Sequence, residues 1–329
     1  MSSRSEPAAD GFRPPFWSVG GHRQTLFGYW SRYRLGWTHP TEQLIIEAEA
    51  GVRLLVRATW QEEREKKPTL VVVHGLGGSS EGSYGLSIGA LAFARGWNVA
   101  RMNMRGAGDG EALCARTYNA GLDGDVVAVL RALAQITPRL ALAGFSLGAN
   151  IAALAMGRSA ERLPPGLFAA AAVSAPLDLS ACADALDSPR NRLYCGNYLI
   201  QLRDGYRRRQ RARPDLYEAG RERGTRTIRE YDDRITARYG GYEGAADYYA
   251  RSSAGPWLTS IERPLLLLNA DDDPMIPSES VRRWPLPEHG KVVREVTATG
   301  GHVGFFAPAR APGRFWAADR VMAFLAALG

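Results

Sequence analysis

Apolar positions follow two rhythms along the chain. At 69–73 (TLVVV) and 264–270 (PLLLLNA) they run without a break, as in strands buried on both faces. Shorter runs of the same kind at 98–104, 140–143 and 291–297 predict further strands. So does the alanine-rich 169–173, because Pro176 stops a helix there. Between these runs the spacing turns helical, over 84–95, 120–136, 147–156 and 315–328. In 120–136, Leu122, Val126, Val129, Leu130 and Leu133 share one side. Earlier, β-branched stretches at 43–48 and 53–60 flank Ala50-Gly51, which predicts a hairpin and an antiparallel sheet edge.

Strands alternating with helices at this spacing predict an α/β fold, with a mostly parallel sheet covered by helices on both faces. The alternation lapses between Asp178 and Gly255, where the sequence is rich in Arg and Tyr and reads as irregular helices. Lying between two predicted strands, 178–255 is expected to be a helical cap insertion over the carboxyl ends of the strands, where such folds bind ligands. The division that follows is a leader arm at 1–40, a core at 41–177 and 256–329, and the cap. The chain has 329 residues, ordinary for one α/β domain with an insertion.

The charge-free stretch from Leu140 to Gly157 raises the question of a membrane span. Its three glycines, Ser146 and Asn150 read instead as strand, turn and helix, so no transmembrane segment is expected. Residues 1–15 are polar and Pro-rich, without the apolar run of a secretory signal. Cys114, Cys182 and Cys195 form no CxxC pair, which fits a reducing, cytoplasmic setting and neither a disulfide framework nor a zinc site.

The sharpest motif is Gly144-Phe145-Ser146-Leu147-Gly148, directly after one predicted strand and directly before a helix. A serine on that turn is lifted out of the sheet at a helix N-terminus, and small neighbours let strand and helix approach. Its hydroxyl needs a base. Of the five histidines, His22 and His39 precede the sheet, His74 ends the third strand as a structural residue, and His289 lies in a surface turn. His302, in a glycine-rich loop after the last strand, satisfies the chain order nucleophile, acid, histidine. The acid is expected at Asp273, in NADDDP after the strand at 264–270; Asp178, after the preceding strand, is the rival. Consecutive residues Asp271, Asp272 and Asp273 cannot all face one ion in an extended loop, so no metal is expected. Two backbone amides must hold the oxyanion. Leu147, after the serine, and Leu76, in HGLGGSS at 74–80, are the candidates. HGLGGSS lacks the lysine of a phosphate loop, and GAGDG at 106–110 lacks dinucleotide spacing. No cofactor is expected.

HGLGGSS, NMRGAG at 103–108, GFSLGAN at 144–150, REYDDRITARYGGYEGAADYY at 229–249, NADDDP at 269–274 and GGHVGFF at 300–306 occur in one order. With PPFWSVGGHRQT at 14–25, they resemble the YheT-like branch of the α/β-hydrolases over nearly the whole chain. The resemblance implies serine ester hydrolysis of short- to medium-chain acyl esters, with Ser146, Asp273 and His302 matching the triad motifs. Phospholipid or monoacylglycerol hydrolysis, thioester hydrolysis and acyl transfer are the alternatives on the same triad. An H-x-x-x-x-D acyltransferase signature follows none of the histidines. A non-catalytic binding protein would need a broken triad.

Formal net charge is +7, and all but three of the 41 basic residues are arginines. Between Arg203 and Arg229, ten arginines face four acids. The segment reads as a solvated surface, with contact to anionic lipid as the second reading. Nucleic-acid binding is not expected, since no binding motif accompanies the charge.

Overall fold

The computed structural model describes residues 11–32, 35–308 and 311–329; the rest of the leader lies outside the described residues. Eight strands form one sheet in the order β1-β2-β4-β3-β5-β6-β7-β8. They are β1 (Glu42–Glu49), β2 (Val52–Thr59), β3 (Thr69–Val73), β4 (Asn98–Met102), β5 (Leu140–Phe145), β6 (Leu167–Val173), β7 (Leu265–Ala270) and β8 (Val292–Thr297). The β1–β2 hairpin is antiparallel and joins β4 antiparallel, and all pairings from β4 to β8 are parallel.

The unbroken apolar runs are explained by burial on both faces. Val71, Val73, Leu140 and Leu142 pack on one side with α3 (Asp123–Leu133) and α4 (Leu147–Gly157). Leu70, Val72, Ala141 and Phe145 pack on the other with α2 (Ser83–Ala94) and α11 (Trp316–Ala326). On this second side lies α1 (Gly21–Arg32), against the loop that follows β8. Among the described residues, no helix is long and apolar enough to cross a membrane.

Between β6 and β7 the chain forms α5 (Leu179–Asp187), α6 (Arg192–Ala212), α7 (Ile228–Tyr231), a π-helical turn (Asp232–Ala237), α8 (Arg238–Gly240) and α9 (Ala245–Ser252). The expected irregular helices are thus partly wrong, because α6 runs for 21 residues. Its arginines obscured the spacing of Cys195, Leu199 and Tyr206, which bury against Tyr217, Ile228, Tyr231 and Ile235 in a small core of their own. The short α10 (Ser278–Arg282) follows β7.

Candidate active site

The site lies at the carboxyl ends of β3, β5, β7 and β8. Ser146 sits between β5 and α4 with φ 52° and ψ −121°, a left-handed conformation costly for a residue with a Cβ. The flanking glycines permit it. A Cβ on Gly144 would strike the carbonyl of Gly148 and the Cα of Ala149, and one on Gly148 would strike the carbonyl oxygens of Val73 and His74.

Ser146, His302 and Asp273 come together from three separate loops. Ser146 Oγ stands 2.8 Å from His302 Nε2, and His302 Nδ1 stands 2.9 Å from Asp273 Oδ2. The tautomer protonated at Nδ1 satisfies both contacts: Nδ1–H donates to the carboxylate, and Nε2 accepts from the hydroxyl. The Asp273 side chain is fully buried, and its Oδ1 accepts from the amides of Met275 (2.8 Å) and Ile276 (3.1 Å). The rival Asp178 is elsewhere. It caps α5 by accepting from Ala181 N–H and pairs with Arg283.

The other two aspartates of NADDDP have separate duties. Asp271 pairs with Arg282 and accepts from the Ser278 hydroxyl. Asp272 accepts from Thr299 Oγ1 (2.5 Å) and from the amides of Gly300 and Gly301 (2.9 Å each), tying down the histidine loop. The loop is strained, with Val303 at φ 50° and Phe305 at φ 38°. The leader holds it from outside. Thr25 Oγ1 accepts from His302 N–H at 2.9 Å, Gln24 Oε1 accepts from Phe306 N–H at 2.7 Å, and Arg32 donates to the carbonyls of Val303 and Gly304. The Ser174 hydroxyl accepts from Val303 N–H. None of these supports stood out in the sequence. The quoted leader motif contains Gln24 and Thr25, and NADDDP contains Asp272, without marking their roles. Replacing Asp272 with Ala is expected to lower kcat about 10–100-fold with KM nearly unchanged, because supports of reacting groups act through geometry. Steady-state kinetics on a p-nitrophenyl ester checks this.

In the loop after β3, the Gly75 amide donates to Tyr84 Oη, the Gly77 amide to Tyr118 Oη and the Gly78 amide to the Gly75 carbonyl. Among the described residues, Leu76 N–H is therefore the amide of Gly75–Gly78 without such an acceptor. Leu147 N–H belongs to the first turn of α4, where amides lack intrahelical acceptors. Both residues line the cavity that contains Ser146 and His302.

His74 is fully buried. Its Nδ1 contacts the Gly75 carbonyl and its Nε2 accepts from Met104 N–H, while burial lowers its pKa to about 4. Between that value and the usual 6.5 the unfolded chain binds the extra proton. Acidification from about pH 6.5 to pH 4 therefore costs the native state up to about 3 kcal/mol. Asp232, raised to about 6 by burial, acts in the opposite sense, since its folded form keeps a proton that the unfolded chain releases. Urea melts across this range should show a shallower loss of stability on the acid side for His74→Gln than for the wild type; parallel losses would exclude His74 as the source.

The cavity is about 370 Å³. One wall carries Ser146, Leu147, Leu76 and His302; the segment between β6 and β7 supplies Leu186, Tyr198, Leu202, Ile235, Tyr248 and Tyr249. The lining is chiefly apolar and aromatic. Asp232 is an exception, accepting from Thr236 and from Tyr249 Oη.

A parallel sheet with a serine on a strained strand-to-helix turn, and a histidine bridging it to a buried aspartate, defines the serine-hydrolase class of α/β fold. A sequence profile described as alpha/beta hydrolase fold matches residues 68–308. The chain is 34% identical to a protein of Escherichia coli K12 named "Putative esterase YheT", across 81% of this chain and 79% of that one. It is 31% identical to mouse phospholipase ABHD3, across 73% of this chain and 58% of the relative. The esterase Pf2001 of Pyrococcus furiosus shares the fold, with a TM-score of 0.59 at 17% identity over 89% of this chain and 97% of that one. The chain belongs to the α/β-hydrolase family, in its YheT-like branch.

Proposed function

We propose that the protein is a serine ester hydrolase acting on short- to medium-chain acyl esters. The observation that carries this reading is the Ser146–His302–Asp273 relay opening into an apolar cavity. His302 Nε2 takes the proton of Ser146 Oγ as the hydroxyl attacks the ester carbonyl. Asp273 fixes the imidazole tautomer and stabilises the imidazolium. The amides of Leu76 and Leu147 receive the developing oxyanion. The imidazolium then protonates the departing alcohol, and water, deprotonated by the same histidine, releases the acid.

The segment 178–255 acts as a cap over the core formed by 41–177 and 256–329. It supplies the wall that meets the acyl chain, so cap residues set the accepted chain length. Lipid esters are natural candidates, since relatives include a phospholipase and a yeast protein named monoacylglycerol lipase. The three cysteines are free and buried, which suits a cytoplasmic setting.

The Arg-rich stretch 203–229 supports a solvated surface more than a lipid-binding one. Arg207 pairs with Glu222 and Asp204, Arg208 with Glu111, Arg213 with Asp215, Arg221 with Glu218 and Arg229 with Asp184.

Hydrolysis of p-nitrophenyl esters from acetate to palmitate, run beside acyl-CoA thioesters and with added ethanol, tests the reading. Free acid as the main product, with an optimum at short to medium chains, is expected. Ethyl esters or free CoA as the dominant product would instead select the transferase or thioesterase alternative.

A further inference from the structure

The outward face of α1 plays no part in the chemistry above. Its inward residues, Gln24, Gly28 and Arg32, recur every fourth position and are buried, and Gln24 and Arg32 hold the His302 loop. On the opposite side Leu26, Tyr29 and Trp30 are exposed, Trp30 by 63%. Just before the helix, Trp17 and Val19 are exposed and Phe16 is 89% exposed. Trp17, Phe27 and Trp30 form a continuous edge-to-face chain, with ring centroids 5.0 and 6.0 Å apart. The surface continues across to α6, where Tyr194 stacks on His22 and the adjacent Leu193 is 81% exposed. An exposed apolar cluster of this density marks a contact surface.

Charge indicates what covers it. Residues 11–32 contain no Asp or Glu, and their Arg13 and Arg23 are exposed. Arg190 and Arg192 add exposed positive charge beside Leu193. A second copy would set these cationic rims against each other. The first ten residues, MSSRSEPAAD, carry no aromatic, Leu, Ile or Val side chain to fill the cluster. Tryptophan, tyrosine and phenylalanine ringed by arginine is the composition of a segment lying in the headgroup region of an anionic bilayer.

We infer that Phe16–Trp30, with Leu193 at its margin, is a docking surface for anionic phospholipid membranes, with α1 lying in the interface plane. The inference goes beyond the hydrolase reading and does not depend on it, because binding is read without turnover. One face of α1 meets lipid, and the other carries the histidine loop.

The test is co-sedimentation of the purified chain with vesicles of roughly one-third phosphatidylglycerol in phosphatidylcholine, repeated with pure phosphatidylcholine and at high salt. Binding to the anionic vesicles is expected, weakened by salt, together with quenching of tryptophan fluorescence by brominated acyl chains. The double variant Phe16→Ser/Trp30→Ser should lower partitioning by more than about tenfold, from lost apolar insertion. Its activity on a soluble p-nitrophenyl ester should be unchanged, which shows that it is folded. Arg211→Glu/Arg223→Glu, on the cap, should bind as the wild type does, and Ser146→Ala should bind normally while inactive. Three results would overturn the inference: no binding by the wild type, equal binding by Phe16→Ser/Trp30→Ser, or a wild-type dimer in sedimentation velocity that this variant abolishes.

Discussion

Ser146→Ala is expected to lower kcat by about 10⁶-fold, with the fold and melting temperature little changed. Losses of that order follow when the nucleophile of such a relay is removed, and the residue of catalysis comes from the oxyanion donors and from binding. The magnitude follows from the geometry. His302 Nε2 has the Ser146 hydroxyl at 2.8 Å to deprotonate, and without it only water is left for Nε2 to deprotonate, while Nδ1 keeps its bond to Asp273. Alanine keeps the Cβ, so the turn at φ 52° is no more strained than before. A kinetic assay on a p-nitrophenyl ester, with circular dichroism of the same sample, checks both halves. A loss of only a few-fold would mean that the hydroxyl is not the attacking group.

Asp273→Asn is expected to lower kcat by about 10⁴-fold. The asparagine carbonyl can still accept from the amides of Met275 and Ile276, so the loop keeps its shape. The amide nitrogen would then face His302 Nδ1 and donate to it. That forces the proton onto Nε2, the atom that has to accept from Ser146. Asp178→Asn is the contrasting variant. It retains the cap on Ala181 and loses an ion pair with the half-exposed Arg283, so activity should fall by no more than a few-fold. The reverse ranking of the two variants would move the acid to Asp178.

Much of the fold was legible because burial on both faces leaves unbroken apolar runs, and β3 and β7 carry them plainly. Ser146 was legible for a local reason: the turn needs small residues at 144 and 148, and these stand beside it in sequence. Among Asp271, Asp272 and Asp273 the residue types are the same, and the turn after β7 separates them. It points one at Arg282, one at the loop amides and one at the imidazole. Asp272 was passed over for that reason. The leader was harder still. The buried face of α1 is Gln24, Gly28 and Arg32, while its apolar residues face outward, so reading apolar periodicity inverts the helix. Its partners lie some 280 residues away, as in the contact of Thr25 with His302. The 21-residue α6 was obscured differently, by a run of arginines of which most lie on its outer surface while Arg209 is buried.

The central claim is that the hydroxyl of Ser146 is a nucleophile activated by His302. Incubating the intact protein with a fluorophosphonate and mapping the adduct by peptide mass spectrometry tests it most directly. One phosphonyl group per chain, carried by Ser146 and lost in His302→Ala, is the predicted result. Stoichiometric modification at another residue, or undiminished labelling of Ser146→Ala, would contradict it.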